Sequence, residues 1–298
     1  MRSPENPATR VNDYLLSIVL GIIEGLTEFL PVSSTAHLRI AEWLFQIDLA
    51  NGYWKMFSIV IQLGAILALT AYFWRRILKF LSTFPRGERG DRTFLTHPLS
   101  LVAIAFVVTA VPAFLLTKII GKNLENLYVI ALALIIGGIV MWLVDLLFVR
   151  PRIARMEEMT LPSAIWIGAV QVLSAVFPGT SRSMCTIAAG QIAGMSREAA
   201  LEFSFFLSIP TMFVATGYDL LKTIKPHPAT EAIAPLTMTL HLWILLAIGF
   251  AAAFLTAWPV VAWFLHWVRK RGFAPFAIYR ILLGLLLLFA LARGIVGR

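Results

Sequence analysis

Two stretches of this sequence set acids, hydroxyls and a cation inside otherwise apolar surroundings: GIIEGLTEFLPVSSTAH from Gly21 to His37 and GAVQVLSAVFPGTSRSM from Gly168 to Met184. Glu24 and Glu28 are four residues apart and so share one helix face. Two carboxylates held close in an apolar setting repel each other and resist ionisation. A divalent cation bridging them, a proton on one of them, or an arginine beside them would each compensate. Ser33, Ser34 and Thr35 follow Pro31, where a new helix can start. A helix start offers free N–H groups and partial positive charge, a setting that suits phosphate. Thr180, Ser181 and Ser183 repeat the arrangement after Pro178, so two hydroxyl-rich helix starts would make a two-sided phosphate cradle. Capping alone is the plainer reading for any single serine.

Arg182 is an always-charged group beside the second hydroxyl cluster, and its planar fork matches phosphate oxygens. An ion pair with Glu28 would account for it without any ligand. His37 falls three residues after Ser34, on the same side of the first helical turn, and can take or give a proton near neutral pH. Thr186, four residues beyond Arg182, either faces the same cavity or bonds back to its own helix. Other polar residues are more isolated. Glu202 and Asp219 fall near span ends, Asp145 is expected to pair with Arg150 or Arg152, and Gln62, His241 and His266 have no evident partner.

The elements that must position these groups are membrane helices. Hydrophobic residues make up 59% of the 298 residues and charged ones only 14%, with a mean hydropathy of +0.82. That excludes a soluble domain of this size. Apolar runs at roughly 53–74, 98–117, 127–149, 198–221, 239–268 and 275–292 are each long enough to cross about 30 Å of hydrocarbon. The stretch 1–13 is polar and has neither the basic region nor the cleavage site of a signal peptide. Cys185 is alone, which excludes an internal disulfide. The net charge of +9 does not point to nucleic acid. Its carriers (Arg75, Arg76, Lys79, Arg86, Arg89 and Arg92; Arg150, Arg152 and Arg155; Arg269, Lys270 and Arg271) sit in three loops that each follow an apolar span. The intervening loops carry only Lys118 and Lys122, or Lys222 and Lys225. The positive-inside rule then puts the three basic loops in the cytoplasm and both termini outside.

The two polar stretches are copies. Gly21 matches Gly168, Glu24 matches Gln171, Pro31 matches Pro178 and Ser34 matches Ser181 at one offset (168 − 21 = 181 − 34 = 147). Phe57-Ser58 is echoed by Phe203-Ser204. Each half reads as a broken segment followed by three spans, about 14–149 and about 161–292 of a single membrane domain. Three is odd, so the second half enters the membrane from the opposite face, giving an inverted-topology repeat. The expected fold is all-α, with about six transmembrane helices and two re-entrant helix–loop–helix hairpins whose breaks line a cavity. Interrupted helices at matching places in two halves point to the binding site.

On EGLTEFLPVSSTAH at Glu24–His37 and PGTSRSMCT at Pro178–Thr186, with FSIVIQLGAILA at Phe57–Ala68, the chain resembles the undecaprenyl-diphosphate phosphatase family of bacitracin-resistance membrane enzymes. The resemblance implies removal of the terminal phosphate of undecaprenyl diphosphate, a polyprenyl diphosphate lipid, to recycle the carrier of peptidoglycan synthesis. It implies a bacterial plasma membrane location and a site open to the periplasm. Activity helped by a divalent cation, Mg2+ or Ca2+, is also implied, with Glu24 and Glu28 as its candidate ligands. By motif position, Glu24, Glu28, Ser34, His37 and Arg182 become the catalytic set. Ser33, Thr35, Ser181, Ser183 and Thr186 become the substrate-binding set. Ala36 and the pair Met184-Cys185 depart from the smaller residues usual there, while every polar role stays filled. A homodimer is compatible with the sequence.

The chemistry expected is phosphoryl transfer, with Ser34, His37 or water as nucleophile and Glu28 or His37 as base. The competing class is a lipid-phosphate flippase or anion transporter, which needs the cradle but has no evident use for Glu24, Glu28, Ser34 and His37 together.

Overall fold

The computed structural model describes residues 12–47, 52–88, 90–123, 126–224 and 238–296. Arg89 and Lys225, two charges used in the topology reading, lie outside them, as does most of the polar N-terminal stretch. The described residues form helices in the order α1 (Asp13–Thr27), α2 (Ser34–Leu44), α3 (Gly52–Tyr72), α4 (Trp74–Thr83), α5 (Pro98–Leu115), α6 (Thr117–Asn123), α7 (Leu127–Leu147), α8 (Leu161–Val176), α9 (Arg182–Ile192), α10 (Arg197–Ile224), α11 (Leu240–Arg271) and α12 (Ala274–Ala292). Six of them are long and apolar enough to span a bilayer, and they fall on the six expected runs. The protein is an all-α, multi-pass membrane protein. In α10, 61% of the apolar window is buried, against 33–44% in the other five, which makes it the central span.

The broken segments are shorter than the spans. At 1.5 Å per residue the 15 residues of α1 reach only about 22 Å, and the 11 of α2 less. α1 ends at Thr27, four residues before Pro31, and the backbone turns between them.

Packing exchanges between the halves. α1 lies on α11, and its counterpart α8 lies on α5; α3 also packs on α11 while α10 packs on α5; α7 pairs with α12. The contact surfaces match at the same offset, for Ala105, Thr109 and Pro112 of α5 correspond to Ala252, Thr256 and Pro259 of α11 (252 − 105 = 259 − 112 = 147). A methyl group at Gly21 would strike the Gly249 carbonyl, and one at the matching Gly168 would strike the Ala105 carbonyl. Small residues therefore bring both pairs to backbone contact, the means by which membrane helices associate without a hydrophobic drive between them. Thr109 strengthens the second contact by donating to the Gly168 carbonyl at 2.7 Å. Each broken segment is thus seated on the other half's second span.

The three basic loops meet at one end of the bundle. Arg76 on α4 binds Glu157 at 2.5 Å and also Glu202 on α10, while Arg269 at the end of α11 binds Glu198. Residues of all three line one cleft of about 680 Å3. Asp145 takes a different partner from the one expected. Its Oδ1 accepts from Arg197 Nε at 2.6 Å and from Gln191 Nε2 at 3.3 Å, and its Oδ2 accepts from the Phe273 amide at 3.1 Å. Arg150 and Arg152 lie beyond the helix end, whereas α9, α10 and the α11–α12 turn come together beside Asp145. His241 also gains a neighbour, the Tyr14 hydroxyl at 3.2 Å.

Candidate active site

Both breaks end in the same backbone device. Ser33 caps α2, its Oγ accepting from the Ala36 amide at 3.3 Å, and Ser181 caps α9, its Oγ accepting from the Met184 amide at 3.4 Å. Both serines have positive φ, 75° and 71°. That conformation costs a non-glycine residue roughly 1–3 kcal/mol and persists where surrounding structure imposes it. The cap geometry also corrects the sequence alignment. Ser33 is the structural counterpart of Ser181 (181 − 33 = 148), so the first residue of each new helix pairs Ser34 with Arg182 rather than Ser34 with Ser181. The reason is one extra residue in Pro178-Gly179-Thr180-Ser181 relative to Pro31-Val32-Ser33, and Gly179 takes it up at φ 93°.

Glu28 is where the two helix starts meet. Its Oε2 accepts from Ser34 Oγ at 2.5 Å and its Oε1 accepts from Arg182 Nη2 at 3.2 Å. Glu28 occupies the C-cap of α1, where the helix dipole disfavours an anion. The Arg182 guanidinium and the starts of α2 and α9 offset that cost. Glu24 lies one turn deeper, fully buried, within electrostatic reach of Glu28 and Arg182. Neither of its carboxylate oxygens has a hydrogen-bond donor among the described residues.

The second loop is tied to the first. Ser183 Oγ donates to the Leu30 carbonyl at 3.0 Å, which uses its only proton, so Ser181 is the donor in the 3.0 Å Ser181–Ser183 contact. Thr186 bonds back to the Arg182 carbonyl at 3.0 Å and contacts Ser204 Oγ on α10 at 2.6 Å. Arg182 Nη1 donates to the Ser204 carbonyl at 3.4 Å. Thr35 is half-buried on the first turn of α2.

Both ring nitrogens of His37 are engaged by groups other than the acids. Its Nδ1 lies 2.7 Å from the Ser33 carbonyl, which can only accept, so Nδ1 carries a proton. Its Nε2 meets the Tyr279 hydroxyl at 2.6 Å. The structure therefore brings Glu24, Glu28, Ser34 and Arg182 together and ties His37 to the same break through the Ser33 carbonyl.

Sequence reasoning missed two residues of α12. Tyr279 is the partner of His37. Arg280 is wholly buried and donates to the carbonyls of Pro31, Ala133, Gly179 and Thr180 at 2.9, 3.2, 3.0 and 2.8 Å. The signal for Arg280 was available: a lone arginine inside the apolar run 275–292, where an ionisable residue calls for a functional explanation.

Known proteins resemble this chain over nearly its whole length. The family model described as "Bacitracin resistance protein BacA" matches residues 17–286. A protein of Koribacter versatilis named undecaprenyl-diphosphatase is 62% identical over 280 residues, 93% of this chain and 98% of its own. Proteins of the same name from Caldanaerobacter subterraneus and Rhizobium leguminosarum are 42% and 41% identical, covering 94% and 96% of this chain and 97% and 100% of theirs.

Proposed function

The chain belongs to the bacitracin resistance protein BacA family, and from that premise we propose that it is an integral membrane hydrolase that cleaves undecaprenyl diphosphate to undecaprenyl phosphate and inorganic phosphate. One observation carries the mechanism: a single carboxylate, Glu28, holds the Ser34 hydroxyl and the Arg182 guanidinium at once. A hydroxyl donating to a carboxylate at 2.5 Å is a nucleophile with its base in place.

In the proposed reaction Arg182 and the N–H groups at the starts of α2 and α9 bind the diphosphate and stabilise charge on its equatorial oxygens. Ser34 Oγ forms a bond to the terminal phosphorus while the bridging P–O bond breaks, and the electron pair leaves on the lipid monophosphate. The serine proton passes to Glu28, which hands it to the leaving phosphate. Water then attacks the phosphoserine, giving a proton to Glu28, and Glu28 returns it to Ser34 Oγ as phosphate departs. His37, anchored on the Ser33 carbonyl, orients the residue that precedes the nucleophile.

The acid pair also fits a divalent cation. Both Glu24 oxygens are buried without a donor, and a hard cation takes oxygens of this kind, completing its shell with water and substrate phosphate. Glu24 and Glu28 would hold Mg2+ or Ca2+, which would supply charge neutralisation on the diphosphate. The two broken segments are re-entrant, since none of their four half-helices, at most 16 residues long, is long enough to cross. The basic loops at one end of the bundle support a cytoplasmic face there, with both termini and the mouth of the site on the periplasmic side of the plasma membrane.

The test is phosphate release from detergent-solubilised undecaprenyl diphosphate, with and without chelator. Ser34→Ala is expected to cut turnover at least about 100-fold and to abolish a trappable phosphoserine. Parental turnover in Ser34→Ala would remove the covalent route. Lipid binding without phosphate release by the parent would place the chain among carriers.

A further inference from the structure

We propose that Arg280 is a positioning residue of the phosphatase site: it sets the separation of the two helix breaks so that Ser34 from one and Arg182 from the other act on one diphosphate. The proposal rests on the hydrolase reading above and adds to it a residue outside both motifs.

A guanidinium within a transmembrane helix is costly and normally finds a carboxylate or a water-filled cavity. Arg280 is fully buried and, among the described residues, is paired with no acid. It spends its charge on backbone instead. Nη1 donates to Pro31 at the first break, and Nη2 donates to Gly179 and Thr180 at the second. These carbonyls lie one or two residues before the strained caps Ser33 and Ser181. A planar fork with fixed donor directions holds such targets at one spacing, which a flexible ammonium does not. The remaining bond, from Nη2 to Ala133, goes to the repeat-equivalent of Arg280 itself (280 − 133 = 147). The first half has a methyl group where the second has a guanidinium, so one cation serves both breaks. Room for it comes from Gly137, where an added methyl group would collide with Arg280 Nη2.

The same α12 segment grips the first break a second time through Tyr279 and His37. Arg280 touches the peptides beside the reacting residues, and among the described residues its hydrogen bonds go to backbone carbonyls rather than to Glu28, Ser34 or Arg182. Its effect therefore falls on geometry at the reacting phosphorus more than on capture of the lipid.

In full-length protein in detergent, Arg280→Met is expected to lower kcat for phosphate release about 100-fold with KM within about threefold, since a misplacement near 1 Å costs on that order. Gly137→Ala keeps the charge but displaces the fork, and should show the same split at about 10-fold. Free guanidinium added to Arg280→Ala should restore kcat at least about tenfold while methylammonium does not, because only the former reproduces the fork. If Arg280→Met fails to give monodisperse protein, Arg280→Lys and Gly137→Ala decide the matter, both being expected to fold and to lose kcat. Values of kcat within twofold of the parent in these two, or a loss carried by KM, would overturn the positioning role. An inactive parent would instead sink the hydrolase reading beneath it, so the two failures are distinguishable.

Discussion

The break between α1 and α2 and the break between α8 and α9 share a positive-φ serine cap, an eleven-residue helix behind it and a proline ahead of it. Their side chains differ in sign. The first half supplies Glu24 and Glu28, where the second has Gln171 and Ala175 at the same offset. The second supplies Arg182 at the helix start, where the first has Ser34, and Arg280 where the first has Ala133. A repeated backbone has thus been filled with acids and a hydroxyl on one side and guanidinium groups on the other. Two identical copies would face like charge with like charge in a low-dielectric pocket, a costly arrangement. Divergence turns that repulsion into the Glu28–Arg182 pair, and neither half holds a complete site.

The largest effect should come from cutting the point where the halves join. Glu28→Gln keeps the shape but removes both the proton acceptor of Ser34 and the counterion of Arg182. We expect kcat to fall by about 10³-fold, within the range for loss of a general base. Stability should also drop, since a buried charge left without its partner costs about 3–5 kcal/mol. Phosphate release and thermal unfolding in the same detergent measure the two, and a loss below tenfold would break the view that the halves meet on Glu28.

How much of this was legible in the sequence depends on what each residue bonds to. Spans follow from composition, and Glu24, Glu28, Ser34 and Arg182 stand out because polar groups in apolar runs need a reason. The structure adds that Glu28, rather than Glu24, contacts both Ser34 and Arg182. Arg280 escaped because its partners are backbone carbonyls, which every residue has and no sequence pattern marks. Asp145 has arginines close by in the chain, whereas tertiary packing supplies Arg197. The one-residue slip between the breaks is hidden by Ser34 and Ser181 matching in type, and the cap bonds and φ values of Ser33 and Ser181 reveal it.

A middle-sized effect sharpens the comparison by making the first half resemble the second. Glu24→Gln places in α1 the amide that α8 carries at Gln171, whose Nε2 is satisfied by Thr211 at 3.3 Å. If Glu24 serves a cation, the variant should lose stimulation by Mg2+ or Ca2+ and become insensitive to chelator. Its kcat should settle roughly 10- to 100-fold below the parent, the scale seen when a supporting group of a metal site is lost. A variant that keeps the parental cation response would move the cation away from the acid pair.

The smallest effect should come from the edge of the first break, where His37 leans on Tyr279. Tyr279→Phe removes only the hydroxyl that meets Nε2, and leaves Nδ1 on the Ser33 carbonyl. The net cost of one such hydrogen bond is about 0.5–1.5 kcal/mol, which shows as a small fall in unfolding temperature. Turnover should change less than about fivefold, since Nε2 is not aimed at Glu28 or Ser34. A loss approaching that of Glu28→Gln would mean that His37 swings inward during the reaction and takes the Ser34 proton itself. The acid–base work would then be shared within the first half, and the division of labour would be an acid, a histidine and a serine against two arginines.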